Sequence, residues 1–275
     1  MRLIRLTQPF GLALMIAAVG GVSAAARPPE APAASEESTE TAPQAAGADT
    51  DPTKPVLFSV REEFYDLPGD RWQNVVFLRR DALALKKKKL PGHARGLILR
   101  ADLPLVSFDD GAGTTNGLGD LYAQALMVPQ VSPGFMVAVG TGLGVPTATD
   151  DKLGRGKWIA SPAVVPVWFF PHRGYAYVKV QDWISFAGGG GRPDVHYLTV
   201  TPTWLRRIGA KWWTLLDAES TTNWERDDQS SFRAGVLMGK MLSSRHGLSV
   251  KVEIPFGGFQ QTDWAVKTVF FRTKF

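Results

Sequence analysis

The last twelve residues constrain this chain most. Trp264 to Phe275 runs W-A-V-K-T-V-F-F-R-T-K-F, with no turn residue inside it. Read as a strand, successive side chains point to opposite faces. One face takes Ala265, Lys267, Val269, Phe271, Thr273 and Phe275, and the other takes Trp264, Val266, Thr268, Phe270, Arg272 and Lys274. The length suits a tilted strand crossing a bilayer, and it equally suits the closing strand of a soluble β-domain.

The start of the chain points to export. Arg2 and Arg5, the apolar stretch Phe10 to Val19 and the small residues Ser23-Ala24-Ala25-Ala26 form a secretory signal peptide over 1–26, with cleavage near Ala26. No later apolar run reaches the length of a membrane helix. Residues 27–55 are rich in Ala, Pro, Glu, Thr and Ser, without aromatics, and are expected to form a disordered leader. They are net acidic, whereas residues 56–275 carry a surplus of +7. With no cysteine, disulfides, thiolate metal sites and a Cys nucleophile are excluded. His93, His172, His196 and His246 lack metal-ligand spacing. Neither a metal nor another cofactor is expected. No basic helix or recognition motif points to nucleic acid.

From Val56 onward, short alternating runs are broken by turn signals. The runs are 56–65, 71–80, 94–104, 117–128, 134–144, 157–170, 174–186, 194–206, 210–220, 231–242, 246–255 and 264–275, which makes twelve candidate strands. In 246–254, Leu248, Val250, Val252 and Ile254 oppose Gly247, Ser249, Lys251 and Glu253. Leu97, Leu99, Ala101 and Leu103 oppose Ile98, Arg100 and Asp102 in the same way. A water-soluble sandwich buries its apolar face, whereas a membrane barrel turns it to lipid.

The connections discriminate. Walking back from the C-terminus they alternate: 256–263 is long, 243–245 short, 221–230 long, 207–209 short, 187–193 long, 171–173 short, 145–156 long, 129–133 short and 106–116 long. Outer-membrane barrels place short turns on the periplasmic side and longer loops outside. The long basic segment 81–93, with Lys86 to Lys89, departs from this pattern. The expected fold is all-β: a transmembrane antiparallel up-and-down β-barrel of about 12 strands over 56–275.

Two glycine-containing stretches carry a resemblance. Gly117-Leu118-Gly119-Asp120 resembles a G-x-G-D segment at a strand start. Gly140 to Thr149, followed by Leu153-Gly154-Arg155-Gly156-Lys157-Trp158, resembles a glycine-rich strand, a Pro-Thr loop and a Leu-Gly-x-Gly segment. Arg100-Ala101-Asp102-Leu103-Pro104 resembles the strand before them. These belong to the outer-membrane β-barrel transporters named for the meta-pathway of phenol degradation. The resemblance implies an outer-membrane pore that admits small, often aromatic, molecules. The terminal strand is similar to those that close bacterial outer-membrane barrels. That likeness implies that Val269, Phe271 and Phe275 form the signal read by the outer-membrane barrel assembly machinery.

Strand parity nominates the lumen-lining residues. They are Arg100, Asp102, Asp120, Tyr122, Gln124, Lys179, Gln181, Tyr197, Thr199, Thr201, Arg233, Lys251, Glu253 and Arg272. Such mixed charges can line a wet channel or form an ion-pair network that plugs a narrow barrel. A Ser-His hydrolase has few candidates: His246 and Ser249 fall on opposite faces, and G-x-S-x-G is absent. The chain is therefore not expected to be an enzyme. The expectation is a lipid-embedded pore in the bacterial outer membrane for passive uptake of small solutes, aromatic or anionic. The alternatives are a closed structural or adhesion barrel acting through its loops, and a soluble periplasmic β-sandwich that binds a ligand.

Overall fold

Period-two alternation with turn residues between the runs favours antiparallel strands joined to their neighbours, and the chain forms these from Val56 onward. The computed structural model describes residues 56–85, 96–128, 130–132, 134–170, 174–189, 191–258 and 262–273. The signal peptide, the leader, Lys86 to Lys89 and Phe275 lie outside the described residues.

The strands are β1 (Val56–Leu67), β2 (Arg71–Leu85), β3 (Gly96–Asp109), β4 (Thr114–Leu118), β5 (Leu121–Val128), β6 (Gln130–Ser132), β7 (Phe135–Val145), β8 (Lys157–Phe170), β9 (Gly174–Gly188), β10 (His196–Arg207), β11 (Trp212–Asn223), β12 (Gln229–Met241), β13 (His246–Gly258) and β14 (Trp264–Thr273). β4 pairs antiparallel with β3 ahead of β5, and β6 pairs antiparallel with β7 after it, so both continue the wall position of β5. The other twelve pair antiparallel in chain order, and β1 pairs β14, so the wall closes without an edge. The expected twelve-stranded barrel is what forms, and the closed wall overturns the soluble sandwich alternative.

Residue polarity is inverted relative to a water-soluble β-protein. Along β13, Val250, Val252 and Ile254 lie on the outer surface while Ser249, Lys251 and Glu253 are buried inside. Leu99 and Leu105 on β3, Val236 and Met238 on β12 and Phe270 on β14 face outward as well. An apolar belt of this kind needs lipid to cover it. Outward aromatics gather towards the strand ends, among them Trp168, Trp204, Trp212 and Trp264, as interfacial girdles do.

Three expectations are corrected. β2 continues to Leu85 rather than stopping near residue 80, because Asp81 lies directly across from Arg100 and pairs with it inside the barrel. The run 117–128 is broken at Gly119-Asp120, which separates β4 from β5. The terminal strand is turned over relative to the expected facing. Ala265, Val269, Phe271 and Thr273 point inward, and Arg272 points outward with Phe270. The cause is packing against β13: Phe271 lies opposite Gly247, where a Cβ would come within 2.2 Å of its ring.

Both described ends of the chain, Val56 and Thr273, sit at one end of the barrel, where they pair with each other. The connections 208–211 and 242–245 are at that end, and 110–120 and 146–156 are at the other.

Candidate transport lumen

Twelve strands make a barrel wider than one filled by side chains alone and narrower than an open porin. Two cavities share the interior. The central one has a volume of about 670 Å³ and is lined from β1, β2, β3, β5 and β7 to β14. The second, about 930 Å³, lies towards the loop end and is bounded by Arg192, Asp194, Asn223 and Arg226 among others. Lys179, Tyr197, Thr201, Glu219 and Arg233 line both, so the two volumes meet at that level.

The central wall is a set of ion pairs spread over neighbouring strands. On one side Arg79 grips Asp102 with two bonds of 2.6 and 2.7 Å, and Arg100 grips Asp81 with bonds of 2.9 and 3.3 Å. On the other side Lys251 bridges Asp217 and Glu253, and Lys267 reaches Glu253 at 3.0 Å. Arg233 holds Glu219 at 2.6 Å. Glu63 accepts from Tyr65 and pairs with Arg61 at 2.8 Å. Opposite charges on facing strands let a barrel carry many ionic groups without leaving one desolvated and uncompensated. Nine cations and six carboxylates line the central cavity, so its surplus is positive.

The structure brings together thirteen of the fourteen nominated lumen residues. Arg100, Asp102, Asp120, Tyr122, Gln124, Lys179, Tyr197, Thr201, Arg233, Lys251 and Glu253 line the central cavity, and Gln181 and Thr199 line the outer one. Arg272 does not join them, for the facing reason given above. Sequence reasoning missed Arg61, Glu63 and Tyr65 on β1, Arg79 and Asp81 on β2, and Asp217, Glu219 and Lys267. Alternation along 61–65 and 77–81 was the available signal. Lys267 was hidden by the inverted facing of β14.

Aromatic rings crowd the junction. Trp183 stacks on Tyr197 at 5.7 Å and 13°, and meets Tyr122 at 5.4 Å. The Arg155 guanidinium lies 4.9 Å from the Tyr197 ring centre. Gln181 donates to the Tyr122 hydroxyl at 2.8 Å, and that hydroxyl is 2.9 Å from Ser161 Oγ. Tyr122 lies over Gly142, where a Cβ would be 2.1 Å from the hydroxyl. The glycine-rich strand therefore makes room for a ring.

The two glycine-containing segments fold against each other. Asp120 Oδ1 accepts from the backbone N–H of Thr147 and Ala148, both at 3.1 Å, and its Oδ2 accepts from that of Arg155 at 2.6 Å. Thr147 Oγ1 accepts from Leu121 N–H at 2.9 Å, and Thr149 Oγ1 from Leu118 N–H at 3.1 Å. A Cβ at Gly117 would be 2.1 Å from Thr149 Oγ1, and one at Gly154 would be 2.3 Å from Ala148 Cβ. Leu153 is thereby tucked between Val75 and Val106. Asp120 is thus both a cavity wall and the latch of loop 146–156. Outside the membrane span, the hydrogen bond from Lys152 holds the Asp110 carboxyl below its ordinary range, and that from Lys157 does the same for Asp194.

The end that carries Val56 and Thr273 is apolar. Leu205, Leu215 and Leu237 lie side by side on β10, β11 and β12, joined by Trp213, Phe271 and Tyr175. Leu205, Leu215 and Phe271 are 0% exposed, so water does not reach them. Trp213 lies over Gly239, just as Phe271 lies over Gly247, and the two rings meet edge to face at 5.9 Å. This cluster forms an apolar septum below the ionic wall.

The His-Ser question is answered by facing. His246 stacks on Phe270 at the outer surface and its Nδ1 is 3.1 Å from Ser243 Oγ, whereas Ser249 is buried inside.

This barrel is similar to the COG4313 outer membrane channel from Pseudomonas putida F1. The TM-score is 0.63 at 14% identity, over 79% of this chain and 96% of that one. The chain has the fold of an outer-membrane β-barrel channel. The NanC porin superposes with a TM-score of 0.53 at 8% identity, covering 78% of this chain and 99% of its own. The KdgM porin, solved in complex with disordered oligogalacturonate, gives 0.50 at 10% identity, covering 79% and 98%. No family model and no curated protein matches the chain.

Proposed function

We propose that the protein is a channel of the bacterial outer membrane for passive uptake of small solutes, anionic and aromatic ones above all. The observation that carries this reading is the pair of cavities in series inside a closed barrel, lined by a surplus of cations and meeting at a cluster of aromatic rings. Charges that face a wet lumen select by sign, and ring faces favour flat apolar solutes. The likeness of Gly117–Asp120 and Gly140–Trp158 to the meta-pathway barrels supports the aromatic preference. In this reading the loop end faces outward, the end with Val56 and Thr273 faces the periplasm, and the apolar septum parts when solute passes. The exported precursor reaches the barrel assembly machinery, which reads Val269, Phe271 and Phe275 in the unfolded strand. Once folded, Phe271 is hidden in the septum.

Planar-bilayer recording of the detergent-extracted protein tests the reading. Discrete openings with a reversal potential on the anion side are expected. Openings selective for cations would overturn the anionic preference. Silence from inserted protein, with and without solute, would overturn the channel itself and leave the closed structural barrel.

A further inference from the structure

Two cations of the central lumen hold no carboxylate among the described residues: Arg155, which lies over the Tyr197 ring, and Lys179. Lys157, Lys251 and Lys267 each hold a carboxylate. Arg61, Arg79, Arg100 and Arg233 do so as well. Lys179 on β9 points into the same space and makes no ion pair among the described residues. Its strand neighbour is Thr201, whose hydroxyl is turned to Glu219 at 3.2 Å. Glu219 is already held by Arg233. Lys179 stands where the two cavities meet. Its inward neighbours along β9 are Gln181 and then Trp183, which is stacked on Tyr197 and touches Tyr122.

An ammonium drawn out of bulk water and left without a partner is costly. The neighbouring guanidiniums, already neutralised, do not relieve it. A small anion would. Along a strand, Lys179 and Trp183 are four residues apart, roughly 13 Å between Cα atoms at about 3.3 Å per residue. Lys179, Trp183 and Tyr197 all line both cavities, so a solute in that space can meet the ammonium and the rings together. We propose that Lys179 is the anchor of a binding site for small aryl carboxylates. The carboxylate sits on the ammonium, and the ring lies against Trp183 and Tyr197. This rests on the channel reading and adds the ligand class and the residue that selects it.

The site is tested by binding, independently of transport. Benzoate, acetate and phenol are titrated calorimetrically into the detergent-solubilised full-length protein and into Lys179→Met, which keeps the apolar stem and removes the charge. Benzoate is expected to bind the native protein more tightly than acetate or phenol. Lys179→Met is expected to lose benzoate affinity on the order of ten- to hundredfold, the value of a charge-assisted bond, while phenol binding is unchanged. The same variant is expected to unfold at equal or higher urea concentration, because an uncompensated charge has gone. Lys240→Met, at the outer surface beside Trp212, leaves all three ligands unaffected. Benzoate binding that survives Lys179→Met would overturn the anchor, and acetate binding as tightly as benzoate would overturn the aryl assignment. A barrel that binds benzoate but passes no ions would keep the site and remove the channel. One that conducts but does not bind benzoate would do the reverse.

Discussion

Trp212 and Trp213 are adjacent in sequence and on opposite faces of β11, so one substitution at each separates septum from girdle. Trp213 is 2% exposed and lies across Gly239, against Phe271. Trp212 is 44% exposed on the outer surface beside Lys240. A buried indole removes roughly 200 Å² from solvent. At about 25 cal/mol per Å² that amounts to about 5 kcal/mol, the top of the about 3–5 kcal/mol seen when Trp is cut to Ala in a core. Trp213→Ala is therefore expected to lower the unfolding free energy in lipid vesicles by about 3–5 kcal/mol if the vacated space stays dry. That space is bordered by the ionic wall, however, and a void of this size holds several waters at about 30 Å³ each. Wetting offsets part of the loss and opens a path past the septum. The stability loss then falls towards the lower figure, and the bilayer current rises well above that of the native protein at the same applied voltage. Gly239→Ala provides a second route, since its Cβ would lie 2.1 Å from the Trp213 ring and must push the indole aside. Trp212→Ala keeps the native current. A native-like current from both Trp213→Ala and Gly239→Ala, with the folded barrel confirmed by heat-modifiable gel mobility, would refute the septum.

Other consequences can be measured separately. Asp81→Asn removes the charge that Arg100 grips across the wall and is expected to cost about 3 kcal/mol in urea unfolding, and Arg100→Met in the same chain recovers most of it. An additive double variant would show that this pair is uncoupled. Asp120→Ala removes the acceptor of three loop amides, each bond contributing roughly 1 kcal/mol. Faster hydrogen exchange confined to 147–155 is expected, and unchanged exchange there would dismiss the latch. The Asp110–Lys152 pair fixes a pH window for the docking of loop 146–156. A depressed carboxyl contributes above the ordinary carboxylate range and stops contributing as pH falls through its lower folded value. Lys152, whose own proton is held more firmly, contributes below the ordinary lysine range and stops as pH rises through its higher folded value. Proteolysis of the loop is therefore expected to be slowest between those limits. Asp110→Asn weakens the acid response, and an unaltered acid response in that variant would refute the pairing.

What could be read in the sequence follows from what parity can and cannot say. Alternation located the strands, and loop lengths indicated which connections share an end, because both are local properties of the chain. Within β13 and β3, the charged residues fixed which face was inside. β14 carries large apolar groups on both faces, and neither Lys267 nor Arg272 says which face is wet. Its facing depends on Gly247 across the strand, which only the three-dimensional register supplies. β2 was cut short for a related reason: Asp81 reads as a loop residue until Arg100 is known to lie opposite it. The meeting of Gly117–Asp120 with loop 146–156 is likewise a long-range fact, although each half is a recognisable segment.

The inward turn of Phe271 and Val269 links closure of the barrel to closure of its lumen. β14 is the strand that pairs with β1 and removes the last free edge. The same strand delivers Phe271 and Val269 to the septum and Lys267 to the ionic wall. Until β14 is in place, the acceptor Glu253 lacks one of its three cations, and the leucines of β10 to β12 lack their cover. Ion pairs and apolar packing inside the lumen therefore favour the closed barrel over one missing its last strand, beyond what backbone hydrogen bonding alone contributes. Lys267→Met and Phe271→Ala should both slow the final closing step of refolding into lipid, whereas Phe270→Ala, outward on the same strand, should leave that step unchanged. Equal slowing by all three, measured by the appearance of the heat-modifiable form, would show that the lumen has no part in closure.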